Sequence, residues 1–167
     1  PLIVRPDPEG GFEILSGHRR LHAAQLAGLE TVPVIVKEMD DDAAIIFMVD
    51  SNLQRENILP SERAFSYKMK LEAMKHQGTR NDLETTSRQV VGNFETADLI
   101  GKESGESGRQ VQRFIRLTNL IPELLNMVDE KKVSFNPAVE LSYLSTEQQQ
   151  EMINAMDDTQ NAPSFSQ

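Results

Sequence analysis

The spacing of apolar positions changes along the chain and divides it into two kinds of structure. Leu2 to Arg5 and Phe12 to Leu15 are short apolar runs. Between them, Asp7 to Gly11 carries Pro8, Gly10 and Gly11, so the pair predicts a β-hairpin. His18 to Leu26 has helix composition, with Leu21, Ala24 and Leu26 on or near one face and Gly28 placed to stop it. Val32 to Val36 is β-branched and predicts a buried strand, with Pro33 marking an edge or a strand start. Asp40 to Val49 opens with a run of Asp suited to the positive end of a helix. Its apolar residues cover most of its surface, which predicts burial.

From Pro60 onward the period is helical. A long helix is expected from Ser61 to about His76, with Pro60 at its start. Gln77 to Asn93, rich in Gly, Thr, Ser and Asn, predicts a loop. Five helices are expected after it: Thr96–Glu103, Ser107–Leu117, Pro122–Asp129, Pro137–Leu144 and Thr146–Met156. The expected class is α+β. A small mixed αβ domain spans residues 1–60, an all-α helix-turn-helix domain spans 61–157, and 158–167 form a disordered tail.

The helix-turn-helix is placed at 96–117. Thr96 is a candidate cap, Gly105 can take the left-handed conformation of a sharp turn, and Ser107 is a second cap. Val111, Phe114, Ile115 and Leu117 or Thr118 make an inner face. Gly108, Arg109, Gln110, Gln112, Arg113 and Arg116 are left pointing outward. Arg pairs with guanine edges and Gln with adenine edges, so this face suits the major groove, and Ser107 suits a phosphate. A solvated amphipathic helix in an ordinary bundle is the competing account.

Charge first opposes and then permits that reading. The chain carries a net −9. However, Val133 to Gln167 holds five acids and no base, whereas Arg55 to Arg116 holds eleven bases and nine acids. The acidic excess lies largely toward the ends, and a local cationic face remains able to meet phosphates. The 167 residues include no Cys and three His, which excludes disulfides, thiolate metal sites and cysteine nucleophiles. The apolar runs are too short to span a membrane, and no charged-then-apolar leader opens the chain. The expected location is cytoplasmic. The start at Pro1, without Met and directly in strand-like sequence, suggests a piece of a longer protein.

Two polar segments remain. Ser16-Gly17-His18-Arg19-Arg20 sits where a strand passes into a helix. The glycine permits a tight turn, free N–H groups at a helix start bind anions, and two Arg add phosphate donors. An Arg pair tied to Asp40, Asp41 or Asp42 is the alternative. Asn52-Leu53-Gln54-Arg55-Glu56 could contact a phosphate, a ribose or metal-bound water, or simply be a polar helix end.

In combination and order, SGHRRLHAAQLAGLETVPVIV (16–36), SNLQRENILPSERA (51–64) and the helix-turn-helix resemble the ParB family of DNA-partition proteins. The family pattern is GERRxRAA…AG…VPV, then ENxQR…L.P.E.A, then a helix-turn-helix. The resemblance covers about Leu2 to Leu144. It implies binding of a centromere-like site on double-stranded DNA, and CTP with magnesium in the N-terminal domain, closing a dimer into a DNA clamp. It also implies a homodimer in the full-length protein, a ParA-type ATPase partner and association with a nucleoid or plasmid. By position, Gly17, His18, Arg19 and Arg20 would surround the phosphates, and Asn52 and Arg55 would form the second phosphate and metal motif. The sequence departs from the pattern at His18, His22 and Ser51. The last replaces a carboxylate, and magnesium usually takes at least one carboxylate. Asp50, one residue earlier, is the candidate substitute metal ligand beside Asn52. Any catalysis expected is at most weak CTP hydrolysis. The family's N-terminal fold is shared with sulfiredoxin, but that chemistry needs a thiol. A nuclease needs clustered acids, and Asp40 to Asp42 fan around a helix start. A transcription regulator lacking nucleotide control is the other reading.

Overall fold

The computed structural model describes residues 1–55, 57–81 and 88–159, with side chains described for 1–55, 57–77 and 95–156. Strands β1 (Leu2–Pro6) and β2 (Phe12–Ser16) pair antiparallel, with a register shift between Ile3 and Val4. Helix α1 (His18–Leu26) leads to β3 (Val34–Val36), which pairs parallel with β1, so the sheet order is β2-β1-β3. Eight helices are described in all; after α1 come α2 (Asp41–Leu53), α3 (Pro60–Asn81), α4 (Arg88–Ser104) and α5 (Gly108–Arg116). A 3-10 turn at Leu117–Asn119 precedes α6 (Pro122–Asp129), α7 (Phe135–Leu141) and α8 (Thr146–Thr159). This is the α+β arrangement expected, a small sheet followed by helices.

Local chemistry explains many of the boundaries. The hairpin turn closes through Gly10 N–H to Asp7 O at 3.0 Å. Gly28, with φ of +68°, ends α1, and Leu29 N–H donates to Ala24 O behind it. Asp40 caps α2 by accepting from Ala43 N–H at 2.8 Å. The start of α3 is tied to the end of α6, where Ser61 N–H donates to Asp129 Oδ1 at 2.9 Å.

Burial is lower than the apolar pattern suggests at three places, and for Val32 to Val36 and the Asp40 to Val49 helix this corrects the expectation of burial. Val34, Ile35 and Val36 lie 45–48% exposed, because β3 is an edge strand, as Pro33 hinted. Leu26 is 77% exposed, since only Ala24 of α1 is buried. Ile45, Ile46, Phe47 and Met48 are half-buried, because α2 has α3 on one side and β2 on another and is not enclosed. Some boundaries also move. Helix α2 runs four residues past Val49, α7 begins at Phe135 and ends at Leu141, and Asp158 and Thr159 belong to α8. The rest of the expected tail lies outside the described residues. The expected loop at 77–93 is helical at both ends, as α3 reaches Asn81 and α4 starts at Arg88, while 82–87 lie outside the described residues.

The largest buried cluster joins Ala64 of α3 to Leu117, Leu120, Leu124, Val128, Val133, Val139, Leu141 and Met156. Above it, Tyr67, Ala97, Ile100 and Val111 form a second cluster, and Phe114 packs on both. Leu124→Ala should therefore cost about 2–5 kcal/mol in urea melts. Leu26→Ala should stay within about 0.5 kcal/mol. Equal costs at the two positions would contradict this placement of the core.

Candidate functional site

Helix α4 ends on Gly105, whose φ is +73°, and Glu106 N–H donates back to Gly101 O at 2.8 Å. This left-handed stop turns the chain directly into Ser107, whose Oγ accepts from Gln110 N–H at 3.2 Å and caps α5. Two glycines then let the helices touch. A Cβ on Gly101 would lie 2.7 Å from Glu106 O and 2.9 Å from Gly108 N. Gly108 is buried against Asp98, so it does not point outward as its place in the sequence suggested. Thr96 lies inside α4 and does not cap it.

The outward face of α5 is of two kinds. Among the described residues nothing pairs with Arg109, which is exposed, or with Gln112, which is half-buried. Arg113 and Arg116 are held by α7. Arg113 donates to Asn136 Oδ1 and, at 3.4 Å, to Gln110 Oε1, with its guanidinium 5.2 Å from the Phe135 ring centre. Arg116 donates to Ser142 O at 2.8 Å and stacks 3.8 Å from the Tyr143 ring centre. Arg116 thus fastens α5 to α7, a role its sequence position did not show. Behind the turn, Arg63 of α3 donates to Glu106 Oε1 at 2.7 Å, and its guanidinium lies 5.4 Å from the Phe114 ring centre.

In the sheet-bearing part of the chain, Gly17 has φ of +109° and ψ of 16°, and α1 begins immediately after it. A side chain at 17 would be strained, and its Cβ would lie 2.8 Å from Leu2 Cδ2. The first turn of α1 contains no acid, and His18, Arg19 and Arg20 are exposed. Arg20 donates to Pro1 O. The three aspartates are engaged elsewhere. Asp40 caps α2, Asp41 lies 2.7 Å from Arg5 Nη1, and Asp42 faces His76 at 3.5 Å. The hydrogen bonds of Glu13 and Asp41, against a smaller effect of burial, hold the Arg5 guanidinium above its ordinary pKa.

The second segment meets the first where Ser16 Oγ and Ser51 Oγ share a hydrogen bond of 2.8 Å. Asn52 and Arg55 line a small cleft of about 180 Å³ with Ile58, Glu62 and Ser66. Glu62 is a carboxylate of this cleft that the sequence reading did not single out. It stands where the family pattern L.P.E.A has its Glu, and its Oε2 accepts from Leu59 N–H at 3.2 Å. Asp50 is differently placed. Its carboxylate accepts from Lys70 Nζ. Residues two apart on a helix point about 200° apart, so Asp50 and Asn52 do not face one site. The expectation of Asp50 as a metal ligand beside Asn52 is therefore not supported. Among the described residues no three His, Asp or Glu side chains gather as a metal site.

Residues 1–53 match the family described as ParB N-terminal domain. A probable chromosome-partitioning protein ParB of Vibrio cholerae is 33% identical over 91% of this chain and 45% of its own length. The chromosome-partitioning protein Spo0J of Thermus thermophilus is 33% identical over 88% of this chain and 47% of its own. The chain belongs to the ParB family. It spans about half the length of the curated relatives it matches. C-terminally truncated ParB from Caulobacter crescentus, complexed to the centromeric parS site, matches with a TM-score of 0.57 and 26% identity, covering 97% of this chain and 76% of that one. A second structure of that protein, complexed with CTP-gamma-S, is 29% identical with a TM-score of 0.35, below the level at which whole folds are alike. No described helix is long and apolar enough to cross a membrane.

The two-glycine contact makes a sharp test. Ala for Gly inside a helix ordinarily stabilises by about 0.5–1 kcal/mol. Gly101→Ala should instead destabilise by about 1–3 kcal/mol, because its Cβ would meet backbone that cannot rotate away. A thermal melt as high as that of the wild type would contradict the α4–α5 docking.

Proposed function

We propose that this chain is the DNA-reading and nucleotide-binding part of a ParB-type partition protein serving a chromosome or plasmid. The observation that carries the reading is α5 itself. A serine-capped helix, docked on α4 through two glycines, leaves Arg109 and Gln112 unengaged at its surface. These side chains suit guanine and adenine edges in the major groove, and Ser107 with the α5 N-terminus suits a backbone phosphate. Arg113, Gln110 and Arg116 flank them as partly committed groups that set the helix on the duplex. The target is a centromere-like double-stranded site, and the location is the cytoplasm, on the nucleoid or plasmid.

The Gly17 turn is proposed as a triphosphate site, with CTP the nucleotide that the family resemblance implies. The glycine lets backbone approach the anion, the α1 N–H groups face it, and Arg19 adds charge without an acid nearby. Arg20 sits beside it, and His18 stands where the family has Glu. Asn52 and Glu62 fit the metal side, and Arg55 beside them suits a phosphate. Magnesium bound to a nucleotide keeps most of its ligands as phosphate oxygens and water and takes one or two carboxylates from the protein, a part Glu62 can fill. A bound triphosphate would supply the charge that draws the turn and the Asn52 segment together. Homodimerisation of the full-length protein, a ParA-type ATPase partner and a CTP-gated clamp are part of the same proposal.

Titration of a labelled duplex, selected by the full-length protein from a random pool, tests both parts. Arg109→Ala and Gln112→Ala should each weaken binding by about 1–3 kcal/mol and relax sequence preference. Unchanged binding in both would remove α5 as the reader. CTP with magnesium should bind, ATP and GTP should not, and Arg19→Ala should weaken CTP. Duplex binding without any nucleotide binding would instead favour a helix-turn-helix transcription regulator.

A further inference from the structure

Lys70 of α3 is buried, with its side chain 3% exposed. Its Nζ donates to Asp50 of α2 and, at 2.5 Å, to Glu103 Oε2 of α4. A buried lysine is rare unless paired, and a methionine of similar length would fill the space without desolvating a charge. Packing alone therefore does not account for the ion. The two carboxylates are 43% and 61% exposed, so water can take over at either one. Burial alone would lower the pKa of the ammonium, but the two carboxylates outweigh it and hold the value above the ordinary one. A cavity of about 380 Å³ opens beside them, lined by Asp50, Lys70 and Glu103 together with Tyr67 and Glu106, and leaves the lysine room to shift.

The pair lies on a continuous path. Ser16 precedes Gly17, and Ser16 Oγ bonds Ser51 Oγ at 2.8 Å. Asp50 precedes Ser51 on the last turns of α2. Leu53, at the end of the same helix, packs on Tyr67, Ala97, Ile100 and Val111 beneath the helix-turn-helix. Glu103 sits two residues before Gly105, the turn that aims α5.

We propose that Lys70 is a positioning residue that couples occupancy of the Gly17 turn to the setting of α5, through Ser16–Ser51 and Asp50–Lys70–Glu103. This rests on the reading of the Gly17 turn as a nucleotide site. An anion drawn onto the turn displaces Ser16, and with it the last turn of α2. Lys70 then divides its bonds differently between Asp50 and Glu103, and the end of α4 moves. The coupling is reciprocal, so DNA changes nucleotide affinity by the same factor.

The test measures CTP-magnesium affinity of the full-length protein by calorimetry, with and without the selected duplex. In the wild type the duplex should change the CTP dissociation constant by about 5- to 100-fold. In Lys70→Met that ratio should fall to about one, with each ligand alone bound within about twofold of wild type. Glu103→Ala, on a mostly exposed side chain that does not threaten folding, should do the same, and the double variant should be no worse than either single one. A merely structural Lys70 would weaken both ligands in parallel and leave the ratio intact. A wild-type ratio preserved in both variants, or a wild-type ratio of one, overturns the coupling while the nucleotide site stands. Absence of CTP binding in the wild type overturns the nucleotide reading and the coupling with it.

Discussion

The inner face of α3 repeats every three residues, as Ala64, Tyr67, Lys70 and Ala73, and all four are at most 2% exposed. That stripe is the constraint on which the other helices depend. Its first part closes the large cluster with Leu117 and Leu124, and its middle closes the smaller cluster with Ile100 and Val111. At about 1.5 Å per residue, a helix of 22 residues is long enough to serve both units. The small alanines let neighbouring helices approach, and the Tyr67 ring meets Phe114 edge-on at 5.8 Å. Phe114 in turn touches Phe135 at 4.6 Å, so one aromatic column runs from α3 through α5 to α7. Helix α5 is thereby held from behind by apolar contact and from the side by Arg113 and Arg116.

Much of this was legible wherever local chemistry decides structure. Asp7 to Gly11 made the hairpin, Gly28 stopped α1, Asp40 capped α2, and Gly105 with Ser107 marked the turn before α5. Each is a short-range hydrogen-bonding or dihedral requirement that one or two residue types satisfy. The misreadings were matters of what lies opposite. Val34 to Val36 looked like a buried strand because apolar composition does not say whether a second layer covers it. Gly108 looked like an outward position because helical spacing alone does not reveal how closely α4 approaches. The stretch from Arg88 to Asn93 looked like a loop because its polar residues and Gly92 oppose a helix weakly, by about 1 kcal/mol for the glycine.

The candidate site was legible in part for the same reason. The outward basic and amide face of α5 follows from periodicity. That Arg113 and Arg116 are shared with Asn136, Ser142 and Tyr143 does not, since those partners are more than twenty residues away in sequence. Asp50 read as an acid near Asn52, yet helical geometry turns the two apart, and a lysine from another helix claims it. Glu62 stood only inside the 51–64 segment, yet it faces the Asn52 cleft. The net charge of −9 is carried largely away from α5, whose own charged side chains, Arg109, Arg113 and Arg116, are all basic.

In the proposed function, α5 enters the major groove with Arg109 on a base edge. Guanine N7 faces that groove, so protection of N7 from dimethyl sulfate on the bound duplex reports it directly. The full-length wild-type protein should shield guanines, and Arg109→Ala should lose the shielding of at least one at concentrations that still saturate the DNA. A duplex bound at saturation with every guanine N7 as reactive as in free DNA would contradict it.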